Sequence, residues 1–182
     1  MKKRLLYDCD LSRESFCVCE AADVQLDEDS NKISIFSFFS GAGFLDLGFE
    51  LAKRYEIRFV NELHLPFLQT YRYSRRNLHL PEPTFGYSVS DVTWLLSDDK
   101  FHYLHSLVEA TKKCLSPCGF IGGPPCPDFS VGGKNRGQHG ENGKLSGTYI
   151  ELICRLKPDF FLFENVKGLY RTAKHRAFFE EI

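Results

Sequence analysis

The feature that most constrains this chain is a repeated unit: a short apolar run, a glycine or acidic residue closing it, and a segment of helical spacing behind. Ile33–Phe39 ends at Ser40-Gly41-Ala42-Gly43, and Phe44–Arg54 follows with Phe44, Leu47, Gly48 and Leu51 on one helical face. Ile57–Glu62 leads into a helix near Pro66–Arg76, and Thr84–Val89 ends at Ser90-Asp91 before a helix over Phe101–Lys113. Cys118–Gly122 and Asp159–Val166 are the remaining strands, with a helix over Leu145–Leu156 between them and another beginning near Ala173. Alternating units of this length predict an α/β fold, a doubly wound, mostly parallel sheet covered on both faces. Ligands of such sheets bind outside the carboxyl ends of the strands, at the switch point. Gly41, Gly43, Glu62, Asp91, Cys126 and Glu164 all fall at or just past a predicted strand end, so one rim is predicted to gather them.

Composition narrows the function classes. With 182 residues, 43% of them hydrophobic, the chain can build one core. Residues 1–31 lack a sustained period and turn acidic through Glu20–Asp29, which predicts a loosely ordered arm before a domain over 32–182. A net charge of −1 supplies no general attraction to nucleic acid, so any such contact has to be local or come from a partner. No apolar run approaches the length of a membrane span or a signal-peptide core, and a cytoplasmic location is expected. Seven cysteines, an odd number outside any short disulfide frame, point to reduced thiols. Cys17-x-Cys19 and Cys114-x3-Cys118 are pairs, but no further pair completes a zinc set.

Gly122-Gly-Pro-Pro-Cys-Pro-Asp-Phe-Ser130 is the densest chemical signal. Its prolines fix φ and remove backbone donors, its glycines allow close approach, and the stiff turn carries Cys126. A cysteine so placed is a nucleophile candidate; the alternative is a small buried hydrophobe. Glu164 follows four apolar residues and should neighbour Cys126; partial burial would raise its pKa and let it donate a proton. A solvated strand-end acid is the other reading. Phe39-Ser-Gly-Ala-Gly43 suits the anionic or carboxylate groups of a nucleotide-like ligand at a helix N-terminus, but position 46 is Asp, so the turn is not GxGxxG. That weakens a dinucleotide oxidoreductase. Glu62 stands where such folds place an acid for ribose hydroxyls, and Asp91 could accept from an adenine amino group; either could instead cap a helix. The stretch from Gly132 to Gly140, glycine-rich with Lys134, Arg136 and His139, reads as a lid for a phosphate backbone or as an ordinary loop.

Taken in order, these segments resemble the DNA cytosine-5 methyltransferases from about Ile33 to the end of the chain. Phe39 to Glu50 looks like the family's cofactor motif, Gly122 to Ser130 like its nucleophile motif, and Glu164-Asn-Val166 like its glutamate motif, with Leu145–Pro158 fitting the helix between. The resemblance implies a Rossmann-like, S-adenosylmethionine-dependent fold. It implies Cys126 as nucleophile on cytosine C6 and Glu164 as the acid at N3. Phe39, Gly41, Gly43 and Phe44 would line the donor pocket, with Glu62 on the ribose, Asp91 on the adenine amino group, Val92 at the adenine edge and Leu145 in the wall. Phe44 departs from a common glycine, Pro127 from a common glutamine, and Leu63-His64 from the usual pair after the ribose acid.

The family's arginine-bearing motif, target-recognition domain and last helix find no counterpart. The expectation is therefore an N-terminal catalytic region, truncated after the fifth strand and inactive alone, from a bacterial modification system acting on double-stranded DNA. A complementary polypeptide would then carry target recognition. A tRNA cytosine-5 methyltransferase and a non-catalytic half of a split enzyme are the alternatives.

Overall fold

The computed structural model describes residues 16–17, 32–114, 116–125 and 141–166. They form a sheet of six strands: β1 Phe16–Cys17, β2 Ile33–Phe38, β3 Tyr55–Asn61, β4 Tyr87–Ser88, β5 Cys118–Gly122 and β6 Phe160–Phe163. Between these run α1 Phe44–Leu51, α2 Leu65–Asn77, a 3-10 turn at Val92–Leu96, α3 Asp98–Lys113 and α4 Glu141–Leu156. The order across the sheet is β1-β4-β3-β2-β5-β6. All neighbours are parallel except β1, which pairs antiparallel with β4. The chain steps outward from β2 to β3 and β4, then returns to β2's other side at β5. The switch point of this doubly wound sheet therefore lies between β2 and β5.

Side chains alternate across the central strands, so each strand serves two cores. Phe36, Phe38, Phe59 and Phe120 face α3 and α4, whose Leu104, Leu107, Val108, Leu152 and Leu156 close that layer. Ile35, Ile57, Val60 and Ile121 face the other way, onto Leu68 and Tyr71 of α2 and the half-buried Leu45 and Phe49 of α1. Phe120 sits among Phe36 and Phe38 with ring centroids 5.6 and 5.1 Å away. Beside it the absent side chain of Gly119 leaves room for the ring of Phe160.

The predicted elements recur, with differences: β1 lies within residues 1–31, where no strand was predicted. The strand expected over Thr84–Val89 shrinks to Tyr87–Ser88, because Gly86 turns the chain at φ 75° with its N–H on the Pro83 carbonyl. The run Phe160–Phe163 lies at the sheet edge among the described residues, and Phe161 is 55% exposed. On α1 the expected face is reversed: Phe44 and Leu51 are exposed, and Asp46 is the fully buried residue. Hydrogen-bonding partners below the helix draw the carboxylate inward and leave that apolar stripe outside. The helix expected near Ala173 lies outside the described residues. None of the described helices is long and apolar enough to cross a membrane.

Candidate functional site

The carboxyl ends of β2, β3, β5 and β6 form the rim on which the sequence places its chemistry. After β2 the backbone bends through left-handed φ values at Phe39 (53°), Gly41 (55°) and Gly43 (90°). Gly43 is the N-cap of α1 and offers no side chain to its first turn, leaving those N–H groups for a ligand. Ser40 Oγ is buried within the turn and has no hydrogen-bond partner. A buried hydroxyl in that state carries an uncompensated desolvation cost unless a ligand meets it.

Glu62 follows β3 and is 8% exposed. Its Oε2 accepts the N–H of Gly41 at 2.8 Å and its Oε1 that of His64 at 2.7 Å, so one carboxylate binds the glycine turn to the mouth of β3. Asp91 caps the 3-10 turn, its Oδ1 accepting the N–H and the hydroxyl of Thr93 at 2.8 and 2.7 Å. Val92 is turned into the core with Leu95, and Leu145 is half-buried on α4 against the same core. Phe39 meets Tyr149 of α4 edge-on at 6.0 Å, while Phe44 projects into solvent at the start of α1.

On the other side of the switch point, β5 runs out through Gly122 to Pro125. Cys126 and the basic stretch from Gly132 to Gly140 lie outside the described residues. Glu164 is brought to this strand end directly: its N–H donates to the Gly122 carbonyl at 2.9 Å. Its carboxylate lies over Gly123, where an added Cβ would stand 2.9 Å from Oε2. The burial expected of Glu164 is not found. It is exposed, because it stands beyond the last residue of a strand that is the sheet edge among the described residues, and rests on a residue with no side chain. Next to it, Asn165 keeps a buried side-chain nitrogen without a partner.

Two aromatic residues that sequence reasoning passed over support this rim. Tyr149 donates to the Leu162 carbonyl at 3.3 Å and packs so close to Gly122 that a Cβ there would lie 2.9 Å from its ring. Tyr71 packs against Gly43, leaving no space for a side chain at that position of the glycine turn. Both sit in helices of ordinary apolar spacing, so only their partners distinguish them. Asp46 did carry a signal, an acid inside an otherwise apolar turn of α1. Burial pushes its pKa up to about 6, against the lowering effect of hydrogen bonds from Tyr71 and Ser37.

Comparison with known proteins agrees with this fold. The family model for C-5 cytosine-specific DNA methylase matches residues 33–182. The type II methyltransferase M.NmeDI of Neisseria meningitidis serogroup C is 55% identical over 160 residues, covering 88% of this chain and 38% of its own length. The DNA (cytosine-5-)-methyltransferase M.ApeKI of Aeropyrum pernix is 33% identical over 168 residues, covering 81% of this chain and 32% of its own length. The chain thus spans about two-fifths or less of these curated relatives. A crystal structure of a Spodoptera frugiperda DNMT2 mutant shares the fold with a TM-score of 0.52 at 18% identity, over 82% of this chain and 40% of that one. With the doubly wound sheet, the ordered motifs and a family match over most of its length, the chain belongs to the C-5 cytosine-specific DNA methylases.

Proposed function

We propose that this chain carries the methyl-donor site and the nucleophile of a DNA (cytosine-5)-methyltransferase acting on double-stranded DNA. The observation that carries the reading is the convergence at the switch point, where the Glu164 carboxylate rests on Gly123, three residues before Cys126 and across from the glycine turn. The family description and the relative named a DNA (cytosine-5-)-methyltransferase favour DNA over tRNA. The further length of those relatives, on one polypeptide or a second, would carry target recognition.

S-adenosylmethionine fits the residues on the β2–β3 side. Ser40 Oγ is a buried polar atom awaiting a partner. Each Glu62 oxygen already takes one backbone N–H and keeps lone-pair capacity for a ribose hydroxyl. Asp91 would receive the adenine amino group, Val92 and Leu145 would back the adenine, and Phe39, Gly41, Gly43 and Phe44 would enclose the methionine end. When bound, the donor supplies an electrophilic sulfonium methyl.

The protein's task is to make cytosine C5 nucleophilic. The base has to leave the stack first. Cys126 thiolate adds to C6 while Glu164, protonated, hydrogen-bonds N3, so that the electron pair entering the ring is available at C5. Once C5 is methylated, its proton passes to solvent, the Sγ–C6 bond breaks and the thiolate returns. Because Glu164 is exposed, the extruded base itself has to exclude water from around the carboxyl.

The test is covalent trapping on duplex DNA containing 5-fluorocytosine, with the chain extended by the remaining length of M.NmeDI and S-adenosylmethionine present. An adduct is expected that Cys126→Ser abolishes and Glu164→Gln slows by roughly 10²–10⁴-fold. An adduct that survives Cys126→Ser would remove the nucleophile from this reading.

A further inference from the structure

Beneath the glycine turn lies a polar circuit with no place among the substrate-touching residues. Asp46 of α1 is 1% exposed, and both its oxygens are engaged: Oδ1 accepts from Ser37 Oγ of β2 at 2.8 Å, and Oδ2 from the Tyr71 hydroxyl of α2 at 2.7 Å. The Tyr71 oxygen in turn accepts from Arg75 Nη1 at 3.2 Å. Arg75, 3% exposed, closes the loop back to α1 through a bidentate pair with Glu50, both contacts at 2.8 Å. Arg75 also donates to the Pro81 carbonyl, anchoring α2 to the loop behind it. The ring held by this circuit is the one pressed against Gly43.

We propose that Asp46, Tyr71, Arg75 and Glu50 act as a positioning unit that clamps α1 to α2 and holds the Gly41–Gly43 turn in its ligand-ready, left-handed form. Its use in donor binding rests on the site proposed above. Three observations carry it. Gly41 and Gly43 stand at φ 55° and 90°, one of several conformations that glycine adopts about as readily, so only their surroundings hold the turn in it. The circuit meets the turn from below through Tyr71, while Glu62 holds Gly41 from above. The central acid is also an expensive choice: burial raises its pKa to about 6, so keeping it ionised at neutral pH disfavours the fold.

Ionised Asp46 accepts from both hydroxyls; protonated, it can no longer accept from both without a reversed bond, and the circuit loosens. The groups facing it are Ser37 from β2, Tyr71 and Arg75 from α2, and Glu50 on its own helix.

The test compares the chain with Asp46→Asn and Tyr71→Phe by amide hydrogen exchange. Gly41 and Gly43 both donate hydrogen bonds, so both report. We expect protection at these two amides to fall at least tenfold in each variant, with the β2 and β5 amides held within twofold. Unchanged protection at the turn overturns the proposal, with or without ligand. S-adenosylhomocysteine titration supplies a second readout: affinity should fall about tenfold in Asp46→Asn. It should also decline below pH 6 in the unmodified chain but not in that variant. A chain that fails to bind S-adenosylhomocysteine even at pH 8, while its turn responds to both substitutions, would sink the donor-site reading and leave the positioning unit standing.

Discussion

Gly123 is the residue on which the proposed catalytic geometry turns. It has no side chain, and the Glu164 carboxylate occupies the space one would fill. A methyl group there would push the carboxylate from the strand end while leaving both strands intact. Displacements of about 1 Å at a reacting centre can cost on the order of 10²-fold in rate. Gly123→Ala is therefore expected to lower methyl transfer by about that factor in the extended chain, with a thermal midpoint close to that of the parent; labelled-methyl transfer and a melting curve read the two. Residue types and their order along the chain sufficed to nominate Cys126, Glu164 and Glu62. Burial was not legible in the same way. Glu164 was expected to be partly buried because four apolar residues precede it, yet exposure is decided by which strands flank β6 and not by the run itself.

Between elements, aromatic packing at the centre of the sheet joins β2 to β5 and so fixes the switch point. Phe120 is fully buried, with Phe36 and Phe38 of β2 across from it. Truncating such a ring costs about 3–5 kcal/mol through lost burial and the cavity left behind. Phe120→Ala should lower the urea midpoint accordingly and, because the loss separates two strand ends, abolish donor binding as well. A near-silent effect on stability would show that the β2–β5 seam is held by something else. Apart from β1 and the 3-10 turn, strand and helix order was readable from periodicity. The inward face of α1 was not, since apolar spacing favoured Phe44, Leu47 and Leu51 while the hydroxyls of Ser37 and Tyr71 draw Asp46 inward instead.

For the molecule as a whole, Asp46 gives stability a pH dependence of definite sign. Its folded pKa of about 6 lies above the ordinary 3.8, so the folded state binds more protons than the unfolded chain between those values. This group's contribution therefore falls as pH rises through that window, opposite to a salt-bridged carboxylate. Relative to Asp46→Asn, the parent's thermal midpoint is expected to drop between about pH 4 and pH 6, at roughly 2–4 °C for each kcal/mol. A difference that stays flat across that range would show that Asp46 does not titrate there. By itself, the sequence determined the alternation of strands and helices from Ile33 onward, the family to which they belong and the residue types along the rim. Local periodicity, glycine turns and short motifs are properties of neighbours along the chain. Tertiary structure alone decided that the Glu164 carboxylate rests on Gly123, that Glu62 binds the glycine turn, and that Asp46 is buried on two hydroxyls. Those facts depend on which distant segments meet, and the meeting is set by strand order and by hydrogen bonds that span the sheet.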